Sequence, residues 1–244
     1  MQIKDKVVIV TGASAGIGLA AARLFCAQGA RIALAARSKR KLQALSRDMP
    51  DSLPVPADMT RPPEVRAMVR KVKEHYGRVD VLVNNAGQGY DAPVERIRLG
   101  TLQQIYRLNV VGPLVAMQSV IPIMRKQGQG MIVNVSSGTA LMYLPNMAPY
   151  SALKRALAAI SLTAREELGP AGIGVSVVYP YMTATAFEAN TISDVADDAD
   201  WGGDDDGEPF YPPDSAEYAA QKILEAVQSE QAEVFAHDWM KRSA

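Results

Sequence analysis

Short apolar runs recur along the chain at 7–11, 31–36, 53–57, 79–84, 131–136, 173–179 and 233–236, each bounded by turn residues. Several, such as VDVLVN and GMIVNV, are apolar at nearly every position rather than at every second one. A strand that needs both faces out of water belongs in a sheet covered on both sides, and such sheets are typically parallel. Helical stretches separate the runs, most clearly at 17–28, 62–76, 101–126, 149–168 and 213–229. This alternation implies right-handed crossovers and an α/β fold, a doubly wound parallel sheet of about seven strands with helices on both faces. Pro113 and Pro122 fall inside 101–126 and are expected to bend or split it. With 244 residues, 48% of them hydrophobic, the chain can bury one large core. No linker or repeat marks a boundary, so residues 1–244 read as a single domain.

Composition narrows the function classes. A formal net charge of zero gives no reason to expect nucleic acid or an anionic membrane as partner. The single cysteine, Cys26, excludes an internal disulfide and reads as a buried structural thiol. Only His75 and His237 are present, no Cys/His cluster has metal-ligand spacing, and no metal is expected. The apolar run after Lys4 and Lys6 breaks at Thr11-Gly12, so a mature cytoplasmic protein is expected rather than a leader. No stretch of 18 residues reads as apolar enough to span a membrane.

Two local patterns carry chemistry. The first is VVIVTGASAGIG at 7–18, a buried strand, a glycine-rich turn and then a helix. Gly12, Gly16 and Gly18 permit a tight turn and close backbone approach, so the helix N-terminal N–H groups can face a pyrophosphate. The second is VNVSSGTALMYLPNMAPYSALK, where Ser137 closes an apolar strand and Tyr150 and Lys154 follow at i and i+4. Residues four apart share a helix face, so the Lys154 ammonium can sit beside the Tyr150 phenol and is expected to lower its pKa from about 10. Ser137 could then hold a substrate oxygen while Tyr150 gives or takes its proton. Tyr218 and Lys222 repeat the spacing, but Asp205 stands where the serine would be, which makes that pair an internal control.

These patterns together resemble the short-chain dehydrogenase/reductase family over almost the whole chain. The matching pieces are Thr11-Gly12-x-x-x-Gly16-x-Gly18, Asp58, Asn84-Asn85-Ala86-Gly87, Asn109, Ser137, Tyr150, Lys154, and Pro180 with Thr185 five residues on. The resemblance implies hydride transfer between a nicotinamide and a ketone, aldehyde or alcohol. It assigns general acid/base chemistry to Tyr150, carbonyl orientation to Ser137, ribose binding and pKa lowering to Lys154, and a relay water to Asn109. Asn109 could instead mark a kink near Pro113. Cofactor contacts are implied for Gly12, Ser14, Gly16, Ile17, Gly18, Arg37, Asp58, Asn84, Asn85, Tyr150, Lys154, Thr183 and Thr185. Thr11 is implied to tie strands together, and Asn84 and Asn85 to stabilise strand ends and line the adenosine-side ribose. Asp58 is implied to face the adenine, with a helix N-cap as the alternative. A homodimer or homotetramer assembled through 101–126 and 149–168 is also implied.

Cofactor choice turns on the end of the second strand, ARIALAARSKRK. Ala36 stands where the family carries an acidic residue that would repel a 2′-phosphate, and Arg37 follows with a guanidinium suited to binding one. NADP(H) is therefore expected, with NAD(H) possible. Arg37 could otherwise belong to a solvated basic helix start. Family members preferring NADP often have a base where this chain has Ala15.

The family's glycine after Pro180 is replaced by Tyr181, which is expected to narrow the nicotinamide end or stack on substrate. Met142, Tyr143, Leu144, Met147, Tyr181, Phe187, Trp201, Phe210 and Tyr211 suggest a small apolar or aromatic carbonyl or alcohol as substrate. Residues 183–214 hold ten acidic residues and no Lys or Arg, and about 183–213 is expected to be a mobile lid. Two other readings stay open. One is a nucleotide-sensing protein without turnover. The other is a serine hydrolase built on the Gly12-Ala13-Ser14-Ala15-Gly16 elbow with His237.

Overall fold

The computed structural model describes residues 1–195 and 212–242. The strands are β1 (Val7–Thr11), β2 (Arg31–Ala36), β3 (Leu53–Pro56), β4 (Val81–Asn84), β5 (Tyr90–Asp91), β6 (Gly130–Val135), β7 (Ile173–Tyr179), β8 (Ile192–Ser193) and β9 (Glu233–Phe235). The helices are α1 (Gly16–Ala27), α2 (Lys39–Ser46), α3 (Pro62–Tyr76), α4 (Leu99–Tyr106), α5 (Gly112–Gln127), α6 (Ala148–Leu168) and α7 (Ala216–Ser229). Seven strands form one parallel sheet in the order β3-β2-β1-β4-β6-β7-β9, and β5 and β8 pair separately.

The continuous apolar runs now have a physical reason. Successive side chains of a strand point to opposite faces, and here both faces are covered. Val8 and Val10 pack with Phe25 of α1 and Ile223 of α7. Val7 and Ile9 pack on the other side with Val65 of α3 and Val120 of α5. The strand order reverses between β1 and β4, and a crevice at the carboxyl ends of the strands opens at such a switch point.

The 101–126 segment is not split, although Pro122 stands inside α5. It runs unbroken from α4 through a π-helical turn (Arg107–Val111) into α5. Pro113 falls in the first turn of α5, directly after the wide π turn, where a missing N–H is tolerated. The whole run Leu99–Gln127 is also long and apolar enough, by length and composition, to cross a membrane, contrary to the sequence expectation. Half of its apolar window is buried inside the protein, where Val115, Met117 and Val120 pack in the core against the sheet. The length of this apolar helix is thus accounted for by sheet cover.

One buried charge fixes the far end of the sheet. Asp80 is fully buried and accepts hydrogen bonds from the Val7 N–H at 2.9 Å and from Arg78 Nε and Nη2 at 2.9 and 2.6 Å. Asp80→Ala would strand both partners, a loss of about 2–4 kcal/mol. Urea denaturation should read that loss; an unchanged midpoint would remove Asp80 from the sheet's support.

Candidate active site

The glycine turn sits at the switch point. Gly12 has φ +69 and Gly16 φ +52, both in the left-handed region. A Cβ on Gly12 would come 2.8 Å from Asn85 Nδ2, and one on Gly16 would come 3.4 Å from the Thr185 side chain. Asn85 packs still more tightly against Gly18. The turn is therefore walled by Asn85 on one side and Thr185 on the other. Among the described residues no side chain caps α1, and its first turn carries no acidic residue, so its N-terminal N–H groups are left uncapped beside Ser14 and Ile17. This geometry fits a pyrophosphate.

Thr11 Oγ1 donates to Val83 O and accepts from the N–H groups of Asn85 and Ala86, while Asn85 Nδ2 donates to Thr11 O. The expected tying role of Thr11 is thus visible. Asn84 behaves differently from the resemblance. Its side chain is buried, and Nδ2 donates to Asn134 Oδ1 at 2.8 Å and to Pro113 O. Asn134 Nδ2 in turn donates to Ser161 Oγ. Asn84 braces the strand end from within the core, and the ribose-lining role does not hold for its side chain. At the other end of the crevice Arg37 is exposed just past β2 and within electrostatic range of Asp58. Burial raises the Asp58 carboxyl, but hydrogen bonds from Thr60 N and Oγ1, with Arg37 and Arg61 nearby, bring it below its ordinary value. The N-cap position of α3 is Arg61, so Asp58 is not the cap.

The catalytic candidates converge where β6 ends and α6 begins. Tyr150 is 6% exposed and Lys154 4%. Ser137 N-caps a short 3₁₀ turn (Gly138–Leu141), its Oγ accepting from Thr139 N–H at 3.2 Å, and lies in hydrogen-bonding reach of the phenol. Lys154 Nζ lies 5.7 Å from the Tyr150 ring centroid and donates to Val135 O at 2.9 Å. The neighbouring Ser136 donates instead to Lys154 O inside the core. Spacing alone proves nothing, because Lys222 Nζ lies 5.6 Å from the Tyr218 ring. What separates the pairs is surroundings: Tyr218 Oη donates to Ala236 O, and Lys222 pairs with Glu225.

The expected lowering of the phenol pKa is corrected. Burial pushes Tyr150 well above its ordinary value, the Ser137 hydrogen bond pulls it back in part, and the Asp91 charge adds to the rise. Burial also brings Lys154 down to about 8. Desolvation is the leading cause of both shifts, with the ammonium turned to the Val135 carbonyl. Asn109 lies in the π turn, fully buried, its Nδ2 donating to Gln88 O and Ile105 O. Its Oδ1 has no hydrogen-bond partner among the described residues. A Cβ on Gly87 would come 2.8 Å from that oxygen and 3.3 Å from Lys154 Nζ, so Gly87 leaves a polar niche between them. Relay and kink are compatible readings of one residue.

The described part of the lid stretch is pinned rather than loose. β8 pairs with β5, Gln88 Nε2 donates to Asn190 O, and Tyr90 Oη and Arg98 Nε both donate to Asp194 Oδ2 at 2.7 Å. Acidic composition gave no sign of this backbone pairing. The tilted Phe187 ring lies 5.7 Å from that of Tyr150. Met142, Tyr143, Leu144 and Met147 follow the serine turn, with Tyr143 exposed and Arg155 above its ring. The Tyr181 ring packs edge-on to His237 and Trp239. Thr183 Oγ1 donates to Tyr181 O. His237 Nε2 faces the Asp214 carboxylate rather than Ser14. Trp201, Phe210, Tyr211 and the middle of the expected lid lie outside the described residues.

A family model for the short chain dehydrogenases matches residues 6–196. The chain belongs to that family. A relative from Bacillus subtilis, the uncharacterised oxidoreductase YxjF, is 31% identical over 198 residues, covering 80% of this chain and 77% of its own. A short-chain dehydrogenase from Streptomyces avermitilis shares the fold with a TM-score of 0.84 and 28% identity, over 100% of this chain and 92% of its own. A 3-ketoacyl-(acyl-carrier-protein) reductase from Brucella melitensis, complexed with NADH, matches with a TM-score of 0.84 and 25% identity, over 96% of this chain and 98% of its own. This chain is an oxidoreductase of the short-chain dehydrogenase type.

One residue of this short-chain dehydrogenase escaped the sequence reading. Asp91 on β5 is raised to about 6, first by burial and then by Glu188, and its charge reaches Tyr150. Its only sequence signal is an acid four residues past Gly87. An acid whose pKa rises on folding holds its proton more tightly in the native state. Its burial therefore costs nothing below the ordinary value of 3.8 and costs most above about 6. Asp91→Asn should match the parent's melting temperature at pH 4 and exceed it above pH 6. A difference that does not grow across that interval would show that the carboxyl carries no such burden.

Proposed function

We propose that the protein interconverts a ketone or aldehyde and an alcohol with NADP(H), acting as a reductase with Tyr150 as general acid. The observation that carries this reading is a buried phenol with Ser137 in reach and Lys154 one turn on, at the sheet end that holds the glycine crevice. The bound nicotinamide supplies the hydride. Gly12, Ser14, Gly16, Ile17 and Gly18 hold the pyrophosphate at the α1 N-terminus, Thr183 and Thr185 close over it, and Asp58 and Asn85 flank the adenosine side. Ser137 holds the carbonyl oxygen and Tyr150 donates the proton to it. A phenol raised by burial stays protonated at neutral pH, which suits donation better than abstraction. Lys154, near 8, is matched to returning a proton through water held at Asn109 Oδ1.

Phe187 against Tyr150 supports an apolar or aromatic carbonyl compound. The exposed Leu99 and Tyr106 on α4 support a homodimer or homotetramer through that helix. For cofactor choice, β2 ends in Ala36 with Arg37 exposed behind it, which supports NADP(H) over NAD(H).

Tyr150→Phe removes the transferable proton and keeps the ring. Turnover in a panel of ketones and aldehydes with NADPH should fall at least ~10²-fold while NADPH still binds. Near-normal turnover would overturn the mechanism, and Tyr218→Phe should turn over normally. An absence of NADPH consumption by the parent across the panel would favour a nucleotide-sensing protein.

Arg37→Ala should weaken NADPH by roughly tenfold to a hundredfold, the scale of one charge-assisted phosphate contact, and leave NADH nearly unchanged. Equal losses for the two cofactors in fluorescence titrations would show that Arg37 does not read the 2′-phosphate.

A further inference from the structure

Four side chains, Tyr181, Asp214, Tyr218 and Trp239, meet at His237. Its ring stacks on Tyr218 of α7 (centroids 5.7 Å, 24°) and on Trp239 (6.1 Å, 7°), and meets the Tyr181 ring edge-on at 5.7 Å. Nε2 lies 3.1 and 3.0 Å from the two carboxylate oxygens of Asp214. Tyr218 Oη donates to Ala236 O at 2.6 Å, and the Ala236 N–H donates to Tyr179 O at 3.0 Å. Two arms leave this junction.

The first arm runs through Asp214. Its N–H donates to Met182 O at 2.8 Å, and its own carbonyl accepts the Ala184 N–H at 2.9 Å. Thr185 is the next residue, with its side chain against Gly16 of the glycine turn. The second arm runs from the imidazole to the Trp239 ring stacked on it and so into the short 3₁₀ helix Asp238–Arg242, where the Met240 N–H also donates to the His237 backbone O. Met240 is buried, and its Cε would lie 2.8 Å from a Cβ placed on Gly138. Gly138 follows Ser137 directly, and its N–H donates to Pro180 O at 2.8 Å.

We propose that His237 is a positioning residue that sets the cofactor-facing threonines through Asp214 and the catalytic serine through Met240. The roles of Ser137 and Thr185 rest on the function proposed above; the linkage itself rests on the contacts just given. Tyr181 gives this chain its purchase, because a glycine there would have no ring to set against His237 and Trp239. The arms diverge at His237, so their effects must separate.

Amide exchange of the ligand-free protein tests the linkage without any cofactor. His237→Ala should speed exchange both around Gly138 and around Ala184. Met240→Ala should do so only around Gly138, with Met240→Leu restoring protection, and Asp214→Ala only around Ala184. NADPH titration and turnover of an aromatic ketone then test the consequence. Asp214→Ala should raise the NADPH dissociation constant on the order of tenfold with kcat little changed, and Met240→Ala should lower kcat on the order of tenfold with NADPH binding little changed. His237→Ala should show both losses. A lowered melting temperature in His237→Ala with local exchange and NADPH affinity unchanged would overturn the proposal. So would exchange that rises equally at both places in Met240→Ala and Asp214→Ala. If the parent bound no nicotinamide, the proposed function would fall while the exchange pattern still judged the linkage.

Discussion

The carboxyl ends of β1 and β4 have to lie side by side and still leave a crevice, and Thr11 makes both possible. One hydroxyl donates to Val83 O and accepts two N–H groups from Asn85 and Ala86. Those groups lie past the last ladder pair between β1 and β4, where a parallel sheet at its switch point offers them no strand partner. Held this way, Asn85 turns its amide over Gly12 and Gly18, so neither glycine has room for a Cβ. Loss of the stitch would loosen the floor of the crevice before it touched any group that does chemistry. The sheet end, the glycine turn and the approach to Gly87 all hang from this one side chain.

Burial is the second constraint, and it acts on chemistry directly. Two Tyr-x-x-x-Lys pairs stand in this chain with nearly the same separation of ring and ammonium. In the Tyr150 pair, desolvation raises the phenol and brings the lysine to about 8. In the Tyr218 pair, the lysine is raised above its ordinary value, burial being outweighed by Glu225 and lesser charges. The helix sets the distance, and the packing around it decides what the distance means. Asp91 belongs to the same argument, since a carboxyl held half-buried beside the phenol further disfavours its ionised form.

Features fixed by short-range rules were legible in the sequence. The seven runs became seven strands because continuous apolarity has one stable use in a chain of this size, and Gly12 and Gly16 carry the positive φ that their turn required. Ser137 was selected over Ser136 by its interval to Tyr150, and the two serines do face different surroundings. What stayed hidden depends on where distant segments meet. Asn84 turned inward because Asn134 and Ser161 arrive from β6 and α6 to receive it. The β5–β8 pair joins two-residue segments a hundred residues apart, too short to show any period. The sign of the Tyr150 shift followed from the depth of burial, which no i,i+4 spacing encodes.

Tyr181, where the resemblance implied a glycine, is seated by the C-terminal segment. A ring at that position could have intruded on the crevice, yet it swings to His237 and Trp239 because the C-terminal segment offers aromatic faces. Those partners, with Asp214 and Tyr218, lie beyond residue 196, outside the stretch the family model matches. The matched part holds every strand except β9 and the groups proposed for proton transfer. The unmatched part adds Asp214, which bonds the backbone of Met182 and Ala184, and Met240, which packs against Gly138 beside the serine. Tyr181 and the aromatic C-terminal segment therefore pack as one structural unit, the Tyr181 ring meeting His237 and Trp239 edge-on while those two rings stack on each other.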